Sequence, residues 1–180
     1  MKEERLYIVG YMASGKTTFG RALAKKAGWD FLDLDEEIER REGRTIPEIL
    51  EGEGEEAFRQ IESRVLKSTS GLSHTIISCG GGTPCHRDNM EFMTLHGMTL
   101  WLVASPERMA ERILEAPGKR PLVAGMVKDE LLEFISAHLR RRQPYYFKAN
   151  WRFSGEHLEN QEEIETAVEA FLQNNYITRK

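Results

Sequence analysis

The residues best suited to chemistry form a glycine-containing run near the start of the chain. Residues 10–17 read Gly-Tyr-Met-Ala-Ser-Gly-Lys-Thr and match the pattern G-x-x-x-x-G-K-[ST] in full. In such a loop, glycines let consecutive backbone N–H groups point at phosphate oxygens, and the dipole of the following helix adds positive potential. The lysine, here Lys16, reaches the β- and γ-phosphates, and the hydroxyl of Thr17 binds Mg²⁺. The run therefore predicts a phosphate-binding loop (P-loop), with a chance glycine turn as the alternative.

The base of the nucleotide is indicated by a motif that the chain lacks. A guanine-reading N-K-x-D sequence needs an asparagine followed by lysine, and no asparagine in the chain is followed by lysine. This weighs against a GTPase switch and favours ATP as the nucleotide.

Two carboxylates, Asp33 and Asp35, come just after the predicted strand at residues 29–32. Residues two apart on extended backbone point the same way, so both carboxylates can face one site. A carboxylate can orient an acceptor hydroxyl and take up its proton during phosphoryl transfer. The alternative is that the aspartates only cap a helix, because Asp is common at helix N-termini.

The remaining candidates for ligand binding are a glycine triplet and three arginines. Residues 80–82 are three glycines, which can approach a ligand closely but also form ordinary flexible turns. Arg120 lies in a segment rich in Pro and Gly and could close over the transferring phosphate as a lid arginine. Arg59 and Arg142 lie in predicted helices, where a solvated surface position is the competing interpretation.

Short apolar segments alternate with amphipathic ones along the chain. Predicted strands are residues 6–9, 29–32, 75–78 and 98–103. Predicted helices are residues 16–27, 34–42, 55–70, 88–95, a helix opening at 105–108, 129–142 and 162–174. Thr45, Pro47 and Glu48 form a further helix start with a capping box. The alternation predicts an α/β fold in three layers, a parallel sheet with helices on both faces.

The candidate motifs fall at the ends of the predicted strands. Residues 10–17 follow the first strand, Asp33 and Asp35 the second, and residues 80–82 the third. Because ligands on parallel sheets bind beyond the carboxyl ends of the strands, the three motifs are expected to form one site. No internal repeat or linker divides the chain, so we predict a single domain.

Composition excludes some classes of partner. The 180 residues are 40% hydrophobic and 30% charged, with a net charge of −4, which argues against a nucleic-acid binder because that role needs a basic surface. The apolar run after residue 5 is too short for a signal peptide or a membrane span. Cys79 and Cys85 are expected to be free thiols. We therefore predict a cytoplasmic protein without nucleic-acid or membrane partners.

Taken together, these motifs resemble the shikimate kinase family over nearly the whole chain. The resemblance is carried by residues 10–18, 31–35, 54–59 with Glu62, 80–82, 119–122 and 142–146, in family order and at family spacing. It implies a small P-loop kinase of the nucleoside-monophosphate-kinase-like fold. It also implies a monomer with one domain over residues 1–180, a substrate-binding helical segment at about 34–62 and a closing lid at about 115–127.

The resemblance implies transfer of the ATP γ-phosphate to the 3-hydroxyl of shikimate, in aromatic amino-acid biosynthesis. By motif match, Asp35 holds the acceptor hydroxyls and helps to position or deprotonate the attacking oxygen. Arg59 and Arg142 grip the substrate carboxylate, which suits guanidinium forks. Gly81 and Gly82 contact the ring through backbone N–H groups.

The same resemblance implies the nucleotide side of the site. Lys16, Asp35 and Arg120 are the implied catalytic residues, with Arg120 as the lid arginine. Arg112 is implied to contact the adenine, and Thr17 and Asp33 the magnesium ion. The full set implied to bind ATP is Ala13, Ser14, Gly15, Lys16, Thr17, Thr18, Arg112 and Arg120.

The chain departs from the family pattern at three places. Leu50 stands where the family often has an aromatic residue, and Cys79 stands where a threonine is usual. Residues 149–159, where the adenine-side loop is expected, match poorly, so no site residue is assigned there.

Two other interpretations stay open from the sequence. A related P-loop kinase could act on another polyol acid such as gluconate, or on a nucleoside monophosphate, although the paired aspartates with Arg59 and Arg142 favour a hydroxylated carboxylate. The chain could also be a nucleotide-binding module without catalysis. The presence of Lys16, Thr17, Asp35 and Arg120 argues against this, because a binding module would not need all four.

Overall fold

The structure is a computed structural model that describes residues 4–116 and 121–174 of the chain. The predicted lid arginine, Arg120, lies outside the described residues, as do residues 117–119 of the predicted lid. Within the described part of the chain, no helix is long and apolar enough to cross a bilayer.

A five-stranded parallel sheet forms the centre of the fold, with the strand order β2-β3-β1-β4-β5. The strands are β1 (Arg5–Val9), β2 (Asp30–Asp33), β3 (Thr75–Ser78), β4 (Met98–Val103) and β5 (Trp151–Ser154). Strand β1 is central and pairs with both β3 and β4, and its last four residues are fully buried. A continuous apolar run of this kind suits a strand that is covered on both faces.

Helices cover both faces of the sheet. They are α1 (Lys16–Ala27), α2 (Leu34–Glu42), α3 (Ile46–Ser68), α4 (Asn89–His96), α5 (Pro106–Glu115), α6 (Lys128–Tyr146) and α7 (Gln161–Gln173). Short 3₁₀ turns occupy Thr69–Gly71, Thr83–Cys85 and Pro121–Val123. Helices α1 and α7 share a buried cluster with one face of the sheet, and α2 to α6 contribute to the cluster on the other face. The predicted three-layer α/β fold is confirmed.

Helix α3 begins where the capping box predicts. The Thr45 side chain accepts a hydrogen bond from the Glu48 backbone N–H, and the Glu48 carboxylate accepts one from the Thr45 N–H. The helix start predicted at Thr45 and the helix predicted over residues 55–70 are the two segments of α3, which are separated by a kink at Gly54; α3 ends at Ser68, two residues before the predicted end. Gly54 has φ 84° and ψ 172°, a conformation that glycine adopts readily because it has no side chain.

The edge strand β5 is missing from the sequence prediction. Trp151 and Phe153 alternate with the exposed Arg152 and Ser154, the period-2 pattern of a half-buried strand. Four residues are too few for this pattern to stand out against the loops on either side. The omission matters for the site, because β5 carries Gly155 and the segment after it to the carboxyl edge of the sheet beside the phosphate-binding loop.

Candidate active site

The phosphate-binding loop joins β1 to α1 at the carboxyl edge of the sheet. Gly10 and Gly15 have φ values of 146° and 96°, and Gly15 directly precedes the first residue of α1. A Cβ added at Gly10 would lie 2.5 Å from the backbone oxygen of Leu102, so the loop can pack against β4 only because this residue is glycine. The Lys16 ammonium donates a hydrogen bond to the Tyr11 carbonyl at 2.8 Å, which holds it over the loop.

Ala13 is the unusual residue of this loop. Its φ of 61° is left-handed, a conformation that costs a residue with a side chain about 1–2 kcal/mol. The Ala13 carbonyl accepts a hydrogen bond from Arg112 Nη1 at 3.1 Å, across 99 residues of sequence. A contact from α5 therefore supports the backbone shape that glycine would adopt without strain.

A cavity of about 800 Å³ opens in front of the phosphate-binding loop. The predicted site residues that line it are Ala13, Gly15, Lys16, Thr17, Thr18, Asp33, Asp35, Gly81 and Arg112. Among the described residues predicted to bind ATP, Ser14 alone does not line it, because its fully buried side chain lines a separate cavity of about 640 Å³ between β4, β5 and α6. The fold thus gathers the nucleotide residues and the aspartates into one cleft.

Oxygen atoms suited to a magnesium ion meet beside this loop. The Thr17 hydroxyl donates to Asp33 Oδ2 at 2.8 Å and lies 3.4 Å from the Ser78 hydroxyl. Hydroxyl and carboxylate oxygens are hard ligands, and Mg²⁺ in kinases takes most of its remaining ligands from phosphates and water. Within the described ranges there is no group of three His, Cys, Asp or Glu side chains that could hold a metal alone. These residues fit an ion that arrives with a nucleotide.

Asp33 also caps a helix, the role that the alternative interpretation of the sequence gave it. Its Oδ1 accepts a hydrogen bond from the Asp35 backbone N–H at 3.1 Å, which caps α2. The cap directs Oδ1 to the helix and leaves Oδ2 for Thr17. Capping and site formation are therefore compatible in one side chain.

Asp35 has the perturbed carboxylate of the cleft. Burial, followed by the charges of Asp33 and Glu62, raises its pKa to about 6, while Lys16 and Arg59 oppose the rise. A general base is most effective when its pKa lies near the working pH. The carboxylate that the sequence predicts to meet the acceptor hydroxyl is thus also the one that its surroundings make more basic.

Three side chains converge on the glycine turn after β3. A Cβ added at Gly80 would lie 3.0 Å from Asp35 Oδ1, and one added at Gly81 would lie 3.3 Å from Arg142 Nη1. At Gly82 the same atom would lie 2.6 Å from Arg59 Nη2. Any side chain on the turn would therefore press against one of these groups, and the turn brings a carboxylate and two guanidinium groups to one place.

A third cavity, of about 440 Å³, is lined by Arg59 and Arg142 together with Gly82 and Cys85. The Arg59 side chain is only 20% exposed, so the surface interpretation of this arginine is wrong. Its Nη1 donates to the Glu62 carboxylate at 2.8 Å, and Glu62 is itself 1% exposed.

Glu62 has a structural role that was not predicted from the sequence, where it was quoted only for the family resemblance. Besides Arg59, its carboxylate accepts a hydrogen bond from the Thr83 hydroxyl at 2.6 Å, and both partners are thereby fixed beside the glycine turn. A buried carboxylate needs such partners, because an unpaired buried charge is costly. The available signal was the spacing of Arg59 and Glu62, three residues apart on one helix face.

Arg142 reaches the turn from α6. Its guanidinium lies 5.3 Å from the centre of the Tyr11 ring, within the range of a cation–π contact. Tyr11 belongs to the phosphate-binding loop, so Arg142 touches both the loop and the glycine turn. The solvated-surface interpretation of this arginine is wrong as well.

Arg112 ties together the elements on the other side of the cleft. Its guanidinium donates to Glu159 at 2.7 Å and to the Gly155 carbonyl at 2.8 Å, in addition to Ala13. Residues 149–159, which received no assignment from sequence, thus supply the partners of a predicted nucleotide residue. Leu158 and Glu159 also line the 800 Å³ cavity.

The two cysteines are free, as predicted. Cys79 is buried next to the glycine turn, and burial raises the pKa of its thiol well above the usual range. Leu50 is 38% exposed and is absent from the lining of both site cavities.

Comparison with known proteins gives a consistent result. The family model for shikimate kinase matches residues 12–173. A curated shikimate kinase from Bacteroides fragilis is 40% identical over 165 residues, which cover 92% of this chain and 92% of that protein. The crystal structure of shikimate kinase from Bacteroides thetaiotaomicron superposes with a TM-score of 0.92 at 38% identity, over 95% of this chain and 97% of the other.

A second solved structure was determined with a ligand. Shikimate kinase from Acinetobacter baumannii, in complex with shikimate, has a TM-score of 0.81 and 34% identity to this chain, covering 95% and 92% of the two chains. The residues matched by the family model include most of the phosphate-binding loop and the whole glycine turn. The chain belongs to the shikimate kinase family.

Proposed function

We propose that the protein transfers the γ-phosphate of ATP to the 3-hydroxyl of shikimate and releases ADP and shikimate 3-phosphate. Family membership supports an ATP-dependent kinase. The observation that carries the choice of acceptor is the glycine turn, where Gly80, Gly81 and Gly82 each meet a different charged side chain.

The charges around the turn complement a hydroxylated carboxylate. Arg59 and Arg142 supply two guanidinium groups for the carboxylate, and a planar carboxylate accepts paired hydrogen bonds from such groups. Asp35 lies on the side nearer the phosphate-binding loop, so it suits the hydroxyl end of the same molecule. Gly81 and Gly82 would offer their backbone N–H groups to the ring between these two ends.

On the nucleotide side, the backbone of Ala13 to Thr18 would cradle the phosphates, and Lys16 would neutralise charge on the transferring group. Thr17 and Asp33 would hold Mg²⁺, which would offset the negative charge of the phosphates. Arg112 would line the nucleoside end of the cleft. Arg120 would close over the phosphates from the lid.

For the acceptor, Asp35 would orient the attacking hydroxyl and accept its proton. A pKa of about 6 leaves the carboxylate largely ionised at neutral pH, yet more basic than an ordinary aspartate. As the proton moves to Asp35, the hydroxyl oxygen bonds to the γ-phosphorus and the bond to the β-phosphate oxygen breaks. Lys16 and Arg120 would stabilise the charge that develops on the transferring phosphate.

The domain arrangement is proposed on the same basis. Residues 1–180 would act as one domain, with α2 and most of α3 as the substrate-binding segment at about 34–62. The lid would span about 115–127. We also propose a monomer that works on a small-molecule substrate, without nucleic-acid or membrane partners and in the cytoplasm.

A coupled ADP-release assay tests the proposed reaction. The full chain with ATP and Mg²⁺ is expected to release ADP when shikimate is added, and phosphorus NMR is expected to show shikimate 3-phosphate. Chelation of Mg²⁺ should stop the reaction, and added Mg²⁺ should restore it. Preferred turnover of gluconate or of a nucleoside monophosphate would contradict the proposal, as would ATP binding in calorimetry without turnover of any of these acceptors.

A further inference from the structure

Tyr146, the last residue of α6, joins two parts of the acceptor site that approach it from different elements. Its ring is fully buried, with its centre 5.8 Å from that of Trp101. Its hydroxyl donates a hydrogen bond of 2.6 Å to the carbonyl oxygen of Gly81, 65 residues away in sequence. The ring is therefore fixed by core packing, and the hydroxyl extends from that fixed ring to the middle of the glycine turn.

Arg142 lies one helical turn earlier on α6, and its Nη1 lies 3.3 Å from the position that a Cβ at Gly81 would occupy. Burial raises the pKa of the Tyr146 hydroxyl, and the nearby charge of Arg142 opposes the rise. Arg142 and Tyr146 therefore both approach Gly81 from α6, and the Tyr146 hydroxyl is hydrogen-bonded to the Gly81 carbonyl. Its position sets the spacing between a guanidinium and the backbone of the turn.

The rest of the turn is held from the opposite side. Thr83 donates to Glu62 through its hydroxyl, and its carbonyl accepts a hydrogen bond from the Asn89 side chain at 3.0 Å. These contacts fix the end of the turn relative to α3 and α4. Tyr146 fixes the middle of the turn relative to α6, so the two anchors have different consequences for the site.

We propose that Tyr146 is a positioning residue for the acceptor: its hydroxyl holds the Gly81 backbone and the Arg142 guanidinium at the separation that one bound acceptor requires. The proposal rests on the proposed function, in which Arg142 binds the carboxylate and Gly81 the ring. In this proposal Tyr146 acts through Gly81 and Arg142 and does not itself bind the acceptor or the transferring phosphate. Its effect is therefore expected in acceptor binding and not in the chemistry of transfer.

Tyr146→Phe keeps the buried ring and removes the hydroxyl, so it tests this role directly. We expect the KM for shikimate to rise about 5- to 30-fold, the range for losing one partly buried hydrogen bond. The KM for ATP should stay unchanged, and kcat at saturating shikimate should change far less than the KM for shikimate.

Two matched variants separate positioning from general stability. Tyr145→Phe makes the same chemical change one residue earlier, on a ring that is not fully buried. Tyr7→Phe also removes a buried hydroxyl, which shares a 2.9 Å hydrogen bond with Thr69 on the amino-terminal side of the fold. Both variants should keep the wild-type KM for shikimate, although Tyr7→Phe should lower the melting temperature. An equal rise of that KM in Tyr7→Phe and Tyr146→Phe would overturn the proposal, because a general loss of stability would then explain the rise in both variants.

Amide hydrogen exchange tests the same contact without any acceptor. In Tyr146→Phe, the amides of residues 80–83 are expected to exchange faster, whereas Tyr145→Phe should leave them at the wild-type rate. If wild-type protein did not phosphorylate shikimate, the proposed function would fail while this measurement still reported on Tyr146. Unchanged exchange together with an unchanged KM for shikimate would overturn the positioning role.

Discussion

The two halves of the site are built in different ways. The nucleotide half consists largely of consecutive residues, because the phosphate-binding loop supplies backbone N–H groups, Lys16 and Thr17 within one turn between β1 and α1. The acceptor half draws Asp35 from α2, Arg59 from α3 and Arg142 from α6 onto the glycine turn after β3. One half depends on local backbone geometry, the other on tertiary packing.

This difference determines how each half can fail. In the proposed nucleotide half, the loss of one residue, Lys16, would remove charge stabilisation of the transferring phosphate. In the proposed acceptor half, several side chains would share the binding of one ligand, so removal of one of them should weaken acceptor binding and leave nucleotide binding intact. Variants that separate ATP kinetics from shikimate kinetics therefore test whether the two halves are energetically distinct.

The largest effect is expected from Lys16→Ala. The variant removes the ammonium that would stabilise charge on the transferring phosphate, and kcat should fall by at least about 100- to 1,000-fold. Steady-state kinetics with shikimate at saturation measure the loss. Lys25→Ala, on the exposed side of the same helix, should remain close to wild type. A kcat within a few-fold of wild type in Lys16→Ala would remove the basis for the nucleotide half.

The next effect concerns Arg59→Ala. Loss of half of a buried carboxylate clamp should cost about 2–4 kcal/mol in kcat/KM for shikimate, with little change in the KM for ATP. Arg64→Ala is the matched control on the same helix, because the Arg64 side chain is 68% exposed and its ion pair with Glu42 lies outside the two site cavities. If the KM for ATP rose as much as the KM for shikimate, the two halves would not be separable in the way that the structure indicates.

A smaller effect is expected from Arg112→Ala on the nucleotide half. The variant loses the hydrogen bonds to Ala13 and Gly155 and the ion pair with Glu159. We expect the KM for ATP to rise about 10-fold, which corresponds to about 1.4 kcal/mol, while the KM for shikimate stays near wild type.

Arg108→Ala provides the control for this variant. Arg108 lies one turn earlier on α5 and is bound to Glu111 at 2.9 Å. It should leave the KM for ATP unchanged. Equal effects of the two variants would show that Arg112 acts through the stability of α5 and not through the loop.

Sequence reasoning was most successful where a function is encoded in neighbouring residues. Local spacing predicts the phosphate-binding loop, the strands β1 and β4, and the capping box at Thr45. Each of these elements lies where the sequence predicts. The sequence also identified the paired aspartates as a cap or a site, and Asp33 caps α2 with one oxygen and meets Thr17 with the other.

Contacts across long separations in sequence could not be found in the same way. The bond from Arg112 to Ala13 spans 99 residues, and the bond from Tyr146 to Gly81 spans 65. Neither pair has a local spacing that marks it, because each depends on how α5 and α6 pack against the carboxyl edge of the sheet. The edge strand β5 was missed for a related reason, because its four residues are recognisable as a strand only through their pairing with β4.

The smallest expected effect tests how the local half tolerates a departure from glycine. Ala13→Gly should raise the free energy of unfolding by about 0.5–1 kcal/mol, because relief of the left-handed strain exceeds the entropy that glycine adds to the unfolded chain. Ala22→Gly, inside α1, should have the opposite sign, since a helical alanine gains nothing from glycine. Urea denaturation of both variants measures the difference. A loss of stability in both would mean that the Arg112 contact makes the left-handed alanine favourable, and the loop would then depend on tertiary packing as the acceptor half does.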